Sequence, residues 1–592
     1  MKFQFYSCAT IDIRKDWQGK ERPLSEVHFA LFGREVHTND AVAVVFRYCP
    51  YIILENPKHI ESIRFSHKDT VEKTPLHGHT EQKITVNRLF IPQKREWERV
   101  LSEFKRTKGS ELLDYHHTIQ LQMMMEIGLK PLDIVIIDDL VLHTAVHERH
   151  THTKREYHLN TRLVADMRKQ FPVFIEKKTE LCTFPTILSF DIEAYSENGA
   201  FPNPTNSHVF AICFSVQNTV DGTTIKDRKL IISSQSGSNY TIEAEYELLL
   251  DFYKELIDLD PDIITGWNIN GFDWPYLLGR ATRVGLSDFA CLDKVRLHRV
   301  NMMRFKKSPL FLGRLNTDAM HLVKGYKEKI STNSNKPESY SLNYIARICL
   351  GSGKFDLTIP QMREHYKLGK IDIIAEYCLV DAQLPLQILQ HEGILSLIFQ
   401  IANISGASLA DAFQMNTSHI VVAALSFACF EKGFVYNLPR PNKSGKFKGA
   451  FVFDPKPGLY RTLSILDFAA LYPSIIISYN LCYTTLRRGN ELDPSDTVIE
   501  LPGDRKVNFT TKTRGLLPST IVDYQKQRAA IKKTMKAHEC KSTDYKRLDA
   551  RQQAVKVISN SFYGILGASN FFGLQVIAEA VTAYGRCAIQ KT

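Results

Sequence analysis

The chain has 592 residues, 44% hydrophobic and 23% charged, too long for one domain and too ordinary in composition for a disordered or fibrous protein. It holds no run of about 18 apolar residues that would cross a bilayer, and its start, Met1-Lys2-Phe3-Gln4-Phe5-Tyr6, lacks the apolar stretch and cleavage site of a secretory leader. A formal charge of +11 suits a polyanionic partner, while eleven scattered cysteines without a Cys-x-x-Cys pair suit reduced thiols in an intracellular compartment.

The first 160 or so residues mix short β-rich runs, such as 41–47 and 133–140, with polar connections, and carry no catalytic constellation. Five histidines, His143, His147, His150, His152 and His158, crowd one stretch of it. Its two acids, Glu148 and Glu156, sit beside Arg149 and Arg155, which would compete with a metal for them, so a solvated loop is expected. From residue 184 the pattern alternates: strands over 186–192 and 208–216, a helix over 243–257, then a closing helix over 373–389. This rhythm predicts an α/β domain. Helical sequence over 401–430 leads to a basic turn, Asn442-Lys443-Ser444-Gly445-Lys446, near which a second domain begins. There a strand is predicted over 463–468 and a helix over 471–479. Two long polar helices follow, over 518–536 and 545–563, joined as an antiparallel hairpin by residues 537–544.

Chemistry concentrates in two places. Phe190-Asp191-Ile192-Glu193 sets two carboxylates on one face of an apolar strand. A strand, turn and helix start over 262–273 delivers Asp273, and Tyr377 and Asp381 lie four apart on one helix face. Four acids and a phenol match the needs of phosphodiester hydrolysis, in which two divalent ions about 3.5–4 Å apart activate water and stabilise the leaving oxygen. Asp191, Glu193, Asp273 and Asp381 are the candidate ligands, Tyr377 is the candidate for orienting the water, and hard oxygen donors select Mg²⁺ or Mn²⁺. In the second place, Leu466-Asp467-Phe468-Ala469-Ala470-Leu471-Tyr472 puts an acid at the end of an apolar strand, before a turn whose exposed N–H groups suit phosphates. Arg528 and Lys532 share one helical face, as do Lys556 and Asn560, a placement that suits a triphosphate.

Over residues 184–592 these motifs resemble the family B DNA polymerases, and the compact form of residues 467–476 with a short N-terminal region is most similar to those of large DNA viruses, such as the iridovirus group. Stretches around Gly313-Arg314-Leu315-Asn316-Thr317-Asp318 and Ser339-Tyr340-Ser341-Leu342-Asn343 match the family's exonuclease fold. The resemblance implies an α/β multidomain chain: an N-terminal domain (1–175), a ribonuclease H-like 3′-to-5′ exonuclease domain (176–395) and a helical connector (396–445). It then implies an α+β palm (446–512 and 571–592, incomplete) around helical-hairpin fingers (513–570). It further implies two Mg²⁺ or Mn²⁺ ions per site, with Asp467 and the Phe468 carbonyl as ligands in the palm. Tyr472 would exclude a 2′-hydroxyl, and Tyr563 and Gly564 would lie against the nascent base pair. Asn268 and Phe272 would contact the unpaired 3′ strand, and the Phe447-Lys448-Gly449-Ala450 loop would steer the primer. The sequence departs from the family pattern at Gly271, where asparagine is frequent, at Ala470, where serine is common, and at Phe447, where tyrosine is usual.

The family's second palm acid lies in Tyr-Gly-Asp-Thr-Asp-Ser, and no such Asp-x-Asp follows Tyr563. The expectation is therefore an N-terminal fragment of a proofreading replicative polymerase, with a complete exonuclease site and an incomplete polymerase site. Primer-template DNA and dNTPs are the implied partners, a processivity factor is allowed for, and no membrane is involved. The setting would be intracellular, in the host nucleus or cytoplasm for a viral enzyme. The alternatives are a non-catalytic DNA-binding scaffold relative and a stand-alone 3′-to-5′ exonuclease.

Overall fold

The computed structural model describes all residues except 12–26, 56–62, 81, 107–111, 115–116, 138–140, 144–148, 164–172, 198–200, 233–239, 296–300, 303–308, 330–336, 354–356, 438–447, 488–492, 503–504, 541, 569–571 and 592. The chain groups into two compact units. The first holds residues 1–48, 130–399 and 408–415; the second holds 49–129, 400–407 and 416–592.

The first unit begins with a seven-stranded sheet in the order Val173–Glu176, Ile134–Ile137, Lys2–Ile11, His28–Glu35, Ala41–Tyr48, Arg155–Leu163, Val141–His143. The near-continuous apolar run of Ala41–Tyr48 suits a strand covered on both faces. Arg155–Leu163 joins it in parallel, so this end of the histidine-rich stretch is not the solvated loop expected from sequence, and Thr151 and Glu156 are fully buried. Strand alternation explains the difference, because neighbouring side chains point to opposite faces. Arg155 turns to Glu35 (2.6 Å) and Asp40 (2.8 Å). Glu156 turns inward and accepts from the backbone N–H groups of His150 (2.9 Å) and Thr151 (2.7 Å).

A second sheet of five strands runs Thr224–Ile231, His208–Asn218, Thr186–Tyr195, Ile263–Thr265, Leu315–Asn316. Its first three strands are antiparallel and the last two add in parallel. Leu188, Phe190 and Ile192 of the central strand enter a core with Phe252, Leu256, Trp274 and Leu277. The same alternation sends Asp191 and Glu193 to the other face, where the helix Ile371–His391 packs.

At the foot of this strand lies a buried charge cluster. Asp262 accepts from Arg34 Nε (2.6 Å), Lys294 Nζ (2.9 Å) and the Thr186 backbone N–H (3.0 Å). Asp260 pairs with Arg314 (3.2 Å) and Lys294 (3.5 Å). Burial alone would raise the Asp262 pKa, but Arg34 and Lys294 hold its carboxyl well below the usual range. Gly313 sits beside this cluster at φ +81°, and a Cβ there would fall 2.5 Å from the Phe32 ring, so both backbone and space demand glycine.

The second unit carries a five-stranded sheet in the order Phe434–Val435, His67–Pro75, Ile84–Phe90, Tyr51–Leu54, Leu112–Leu113. Beside it in sequence stand the helices Thr417–Glu431, Leu471–Ser478 and Gln575–Lys591. The hairpin anticipated from sequence is present as Leu516–Met535 and Thr543–Leu566, which pack along each other. The strand expected over 463–468 is not formed. Residues 451–468 belong to no sheet, and Leu463, Ile465 and Leu466 are 73%, 85% and 79% exposed. Apolar alternation marks a segment that would suit a sheet, but only a neighbouring strand can satisfy its N–H and C=O groups. No described residue pairs with it.

Because Asp262 neutralises two buried cations, Asp262→Ala should destabilise the first unit by about 3–5 kcal/mol. Arg99→Ala, which removes an exposed pair with Glu96 and Glu103, should leave stability almost unchanged. Urea unfolding of the two variants checks the contrast.

Candidate active site

The central strand delivers Asp191 and Glu193 side by side: their carboxylate oxygens and the Cys378 thiol all lie within 4.8 Å of one another. Cys378 Sγ donates to the Asp191 carbonyl (3.3 Å), which ties the helix Ile371–His391 to the strand beneath it. Burial pushes this thiol well above its ordinary pKa, with Cys213 and the two acids adding to the effect. It stays protonated and is a poor ligand for a hard ion. Asp381, one turn further along the helix, is buried, and Tyr377 is half-buried against the domain core.

Asp273 opens the helix Asp273–Val284 and is only 3% exposed. Its carboxylate accepts from the backbone N–H of Ile192, the residue between Asp191 and Glu193. Burial pushes its pKa up to about 7, and the negative charges of Asp318 and Asp381 push the same way. Its Oδ1 is buried without a hydrogen-bond partner among the described residues. A buried anionic oxygen with no donor and like-charged neighbours is costly alone and is stabilised by a divalent cation. The donor set therefore fits hard metal ions.

The turn before Asp273 is built by Asp318. Its Oδ1 accepts from the N–H groups of Asn268 and Met320 (3.0 Å each), and its Oδ2 accepts from that of Asn270 (3.1 Å). This holds Asn268 at φ +63°. A Cβ on Gly271 would lie 2.4 Å from Asn268 Oδ1, so the glycine found where asparagine is frequent makes room for Asn268 itself. Phe272 packs edge-on to Phe201 (5.4 Å), a ring that is 78% exposed.

In the second unit, Asp467 lies in the exposed segment before the helix Leu471–Ser478, and Phe468 is 41% exposed. Ala470 takes φ +52° at the turn. Tyr472 packs against Tyr563 (4.3 Å between ring centres), and a Cβ on Gly585 would approach the Tyr472 ring to 3.1 Å. On the hairpin, Arg528 Nε donates to Gln552 (3.1 Å), one turn before Lys556, which brings the two cationic residues to neighbouring positions. Lys532, Lys556, Asn560 and Gly564 are exposed. Gly449 is also exposed, and Arg586 donates to the carbonyls of Lys448 (2.9 Å) and Gly449 (2.8 Å), fastening that loop to the helix Gln575–Lys591. Phe447 and the basic turn at 442–446 lie outside the described residues.

Sequence reasoning missed three of these contributors. Cys378 carries a signal, since it is three residues from Asp381 on one helix face. The hydrogen bonds of Asp318 and the anchor at Arg586 join residues about 50 and 138 apart, which no local pattern reports.

Residues 141–345 match the model of the DNA polymerase family B exonuclease domain, and residues 408–592 match that of DNA polymerase family B. The chain is 32% identical over 438 residues to the DNA polymerase delta catalytic subunit of Dictyostelium discoideum. It is 31% identical over 428 residues to that of Bos taurus. Each alignment covers 69% of this chain but 38% of the relative, so the chain spans about two fifths of the length of the curated relatives it matches. Among solved structures, the family B DNA polymerase of the hyperthermophilic archaeon Pyrobaculum calidifontis superposes with a TM-score of 0.74 at 22% identity, over 100% of this chain and 72% of that one. The fold is therefore that of the family B polymerases. The chain belongs to this family, and it carries both the exonuclease domain and polymerase sequence.

The raised pKa of Asp273 fixes the sign of a pH effect. An acid whose folded pKa is raised costs the native state nothing below the unfolded value of about 4, and its full penalty appears above about 7. In chelator at pH 8, Asp273→Asn should therefore stabilise the first unit, by up to about 4 kcal/mol. Excess Mn²⁺ should raise the melting temperature of the wild type and not that of the variant. Thermal melts with and without metal check both.

Proposed function

We propose that this chain is the proofreading part of a DNA-directed DNA polymerase, in which Asp191, Glu193, Asp273 and Asp381 would hold two divalent ions at a site that hydrolyses the 3′-terminal phosphodiester of DNA. The observations that support this reading are the Asp191 and Glu193 carboxylates within 4.8 Å of each other, and a buried Asp273 that feels the negative charge of Asp381 and keeps one oxygen without a hydrogen-bond partner among the described residues. When bound, Mg²⁺ or Mn²⁺ would lower the pKa of the attacking water and neutralise charge on the leaving oxygen. The protein's part is placement. The strand fixes Asp191 and Glu193, the Ile192 N–H aims Asp273, and Cys378 locks the helix that carries Tyr377 and Asp381. Tyr377 orients the attacking water. Asn268 and the Phe272–Phe201 edge contact the unpaired 3′ strand, on which aromatic rings stack bases without regard to sequence.

In the polymerase region, Asp467 and the Phe468 carbonyl would hold metal. Arg528, Lys532, Lys556 and Asn560 take the triphosphate of a dNTP, and Tyr472, Tyr563 and Gly564 meet its sugar and the nascent pair. The neighbouring positions of Arg528 and Lys556, and the contact of Tyr472 with Tyr563, support these assignments. Gly449 and Phe447 guide the primer. The compact motif over residues 467–476 supports assignment to the polymerases of large DNA viruses, acting inside the host cell on primer-template DNA with a processivity factor. No helix among the described residues is long and apolar enough to cross a membrane. Two-metal transfer in the palm needs a second acid, and residues 564–592 contain no Asp-x-Asp, so this chain alone would not polymerise.

Purified residues 1–592 with single-stranded DNA and Mg²⁺ should release nucleotides from the 3′ end. Asp191→Ala or Asp381→Ala should slow this by about 10³-fold or more, equivalent to some 4 kcal/mol of lost transition-state stabilisation. A primed template with dNTPs should not be extended. Absence of metal-dependent digestion would refute the nuclease reading, and primer extension would refute the reading of the palm.

A further inference from the structure

The N-terminal sheet holds a second group of metal-type donors, chemically unlike the acids of the nuclease. Glu156 and His158 are two apart on the strand Arg155–Leu163 and share a face. The turn at residues 149–151 folds back over that face, so donor atoms of His150, Glu156 and His158 all lie within 4.8 Å of one another. The two imidazole rings are 5.3 Å apart between centres, and His158 Nε2 is 2.6 Å from Glu156 Oε1.

Glu156 is held in place by the backbone. Its Oε1 accepts from His150 N–H (2.9 Å), and its Oε2 accepts from the N–H and hydroxyl of Thr151 (2.7 Å each). Such partners orient a ligating carboxylate. The arginines that flank the stretch are engaged elsewhere: Arg155 with Glu35 and Asp40, and Arg149 with the carbonyls of Thr153 and Lys154. Neither occupies the carboxylate.

We propose that His150, Glu156 and His158 form a binding site for a zinc-class divalent ion. Two imidazole nitrogens and one carboxylate oxygen make a borderline donor set that suits Zn²⁺ or Co²⁺ in a tetrahedral arrangement, with the fourth position left to water. Mg²⁺, which takes octahedral oxygen coordination, is excluded by the same donors. The ion would clamp the turn onto the strand Arg155–Leu163. That turn continues into Thr151, which bridges to Val295, and into His152, whose N–H donates to the Lys294 carbonyl (2.7 Å). Lys294 pairs with both Asp262 and Asp260, so the ion would brace the segment that helps secure the base of the nuclease sheet.

The test uses the 592-residue chain in excess Mg²⁺, which fills oxygen-donor sites with a hard ion. Titration with Co²⁺ should give one equivalent of intense tetrahedral visible absorption, bleached by one equivalent of Zn²⁺. His150→Ala and His158→Ala should each abolish it, whereas Asp381→Asn should leave it intact. His150→Ala retains the backbone N–H that Glu156 needs, so a folded variant is available even where His158→Ala misfolds. Zn²⁺ should raise the melting temperature of the wild type and not that of His150→Ala. Absence of saturable Co²⁺ binding, binding undiminished in His150→Ala, or loss of binding in Asp381→Asn would each overturn the proposal.

Discussion

Two buried aspartates at opposite ends of one short sheet experience opposite fields, and the nuclease domain is organised around that difference. Asp262 sits among Arg34 and Lys294, which offset its burial and hold it ionised. Asp273 is as deeply buried, yet the charges that act on it, Asp318 and Asp381, are negative, and its pKa rises to about 7. Desolvation is common to both and costs several kcal/mol for an unpaired ion. The sign of the neighbouring charge decides which carboxylate the protein neutralises with its own residues and which is left for an external cation. The first is a fastening; the second belongs to the proposed site.

That asymmetry also explains how the acids are held. A cluster of mutually repelling groups would move apart unless each backbone were fixed independently. Asp191 and Glu193 are fixed by pairing with Cys213 and Ala211, on a strand whose first part also pairs with Ile263–Thr265. Asp273 is fixed by a turn whose N–H groups are collected by Asp318. Asp381 is fixed by a helix locked through Cys378 to the Asp191 carbonyl. None of the supporting groups is a ligand, and all are buried. Rigidity of this kind lets a metal site form with little reorganisation when the ion arrives.

The parts that could be read from sequence were those whose meaning lies within one element. Alternation placed Asp191 and Glu193 together, and helical spacing placed Tyr377 with Asp381 and Arg528 with Lys532. Where meaning depends on a distant partner, the sequence misled or was silent. Residues 463–468 are apolar enough to read as a strand but have no neighbouring strand among the described residues. Gly271 stands where asparagine is frequent, and the space above it is filled by Asn268 Oδ1. The histidine stretch was misjudged for a different reason. Arg155 was counted as a competitor for Glu156, although adjacent residues on a strand face opposite ways, a rule that needed only the assignment of the strand.

The two metal-type sites of the first unit differ in donors as sharply as in position. Asp191, Glu193, Asp273 and Asp381 offer hard carboxylate oxygens, and the one soft atom among them, Cys378 Sγ, is kept protonated by burial. His150 and His158 offer imidazole nitrogens, with a single oxygen held by backbone amides. Raw affinity follows the Irving–Williams order at either kind of site, so discrimination must come from donor type and geometry. An acidic nuclease centre that needs exchangeable, weakly held ions would be poisoned by a tightly bound zinc-class ion. Protonation of the thiol removes the donor that would favour such an ion there. The nitrogen donors stand apart on the N-terminal sheet, where the proposed ion would brace the turn at residues 149–151.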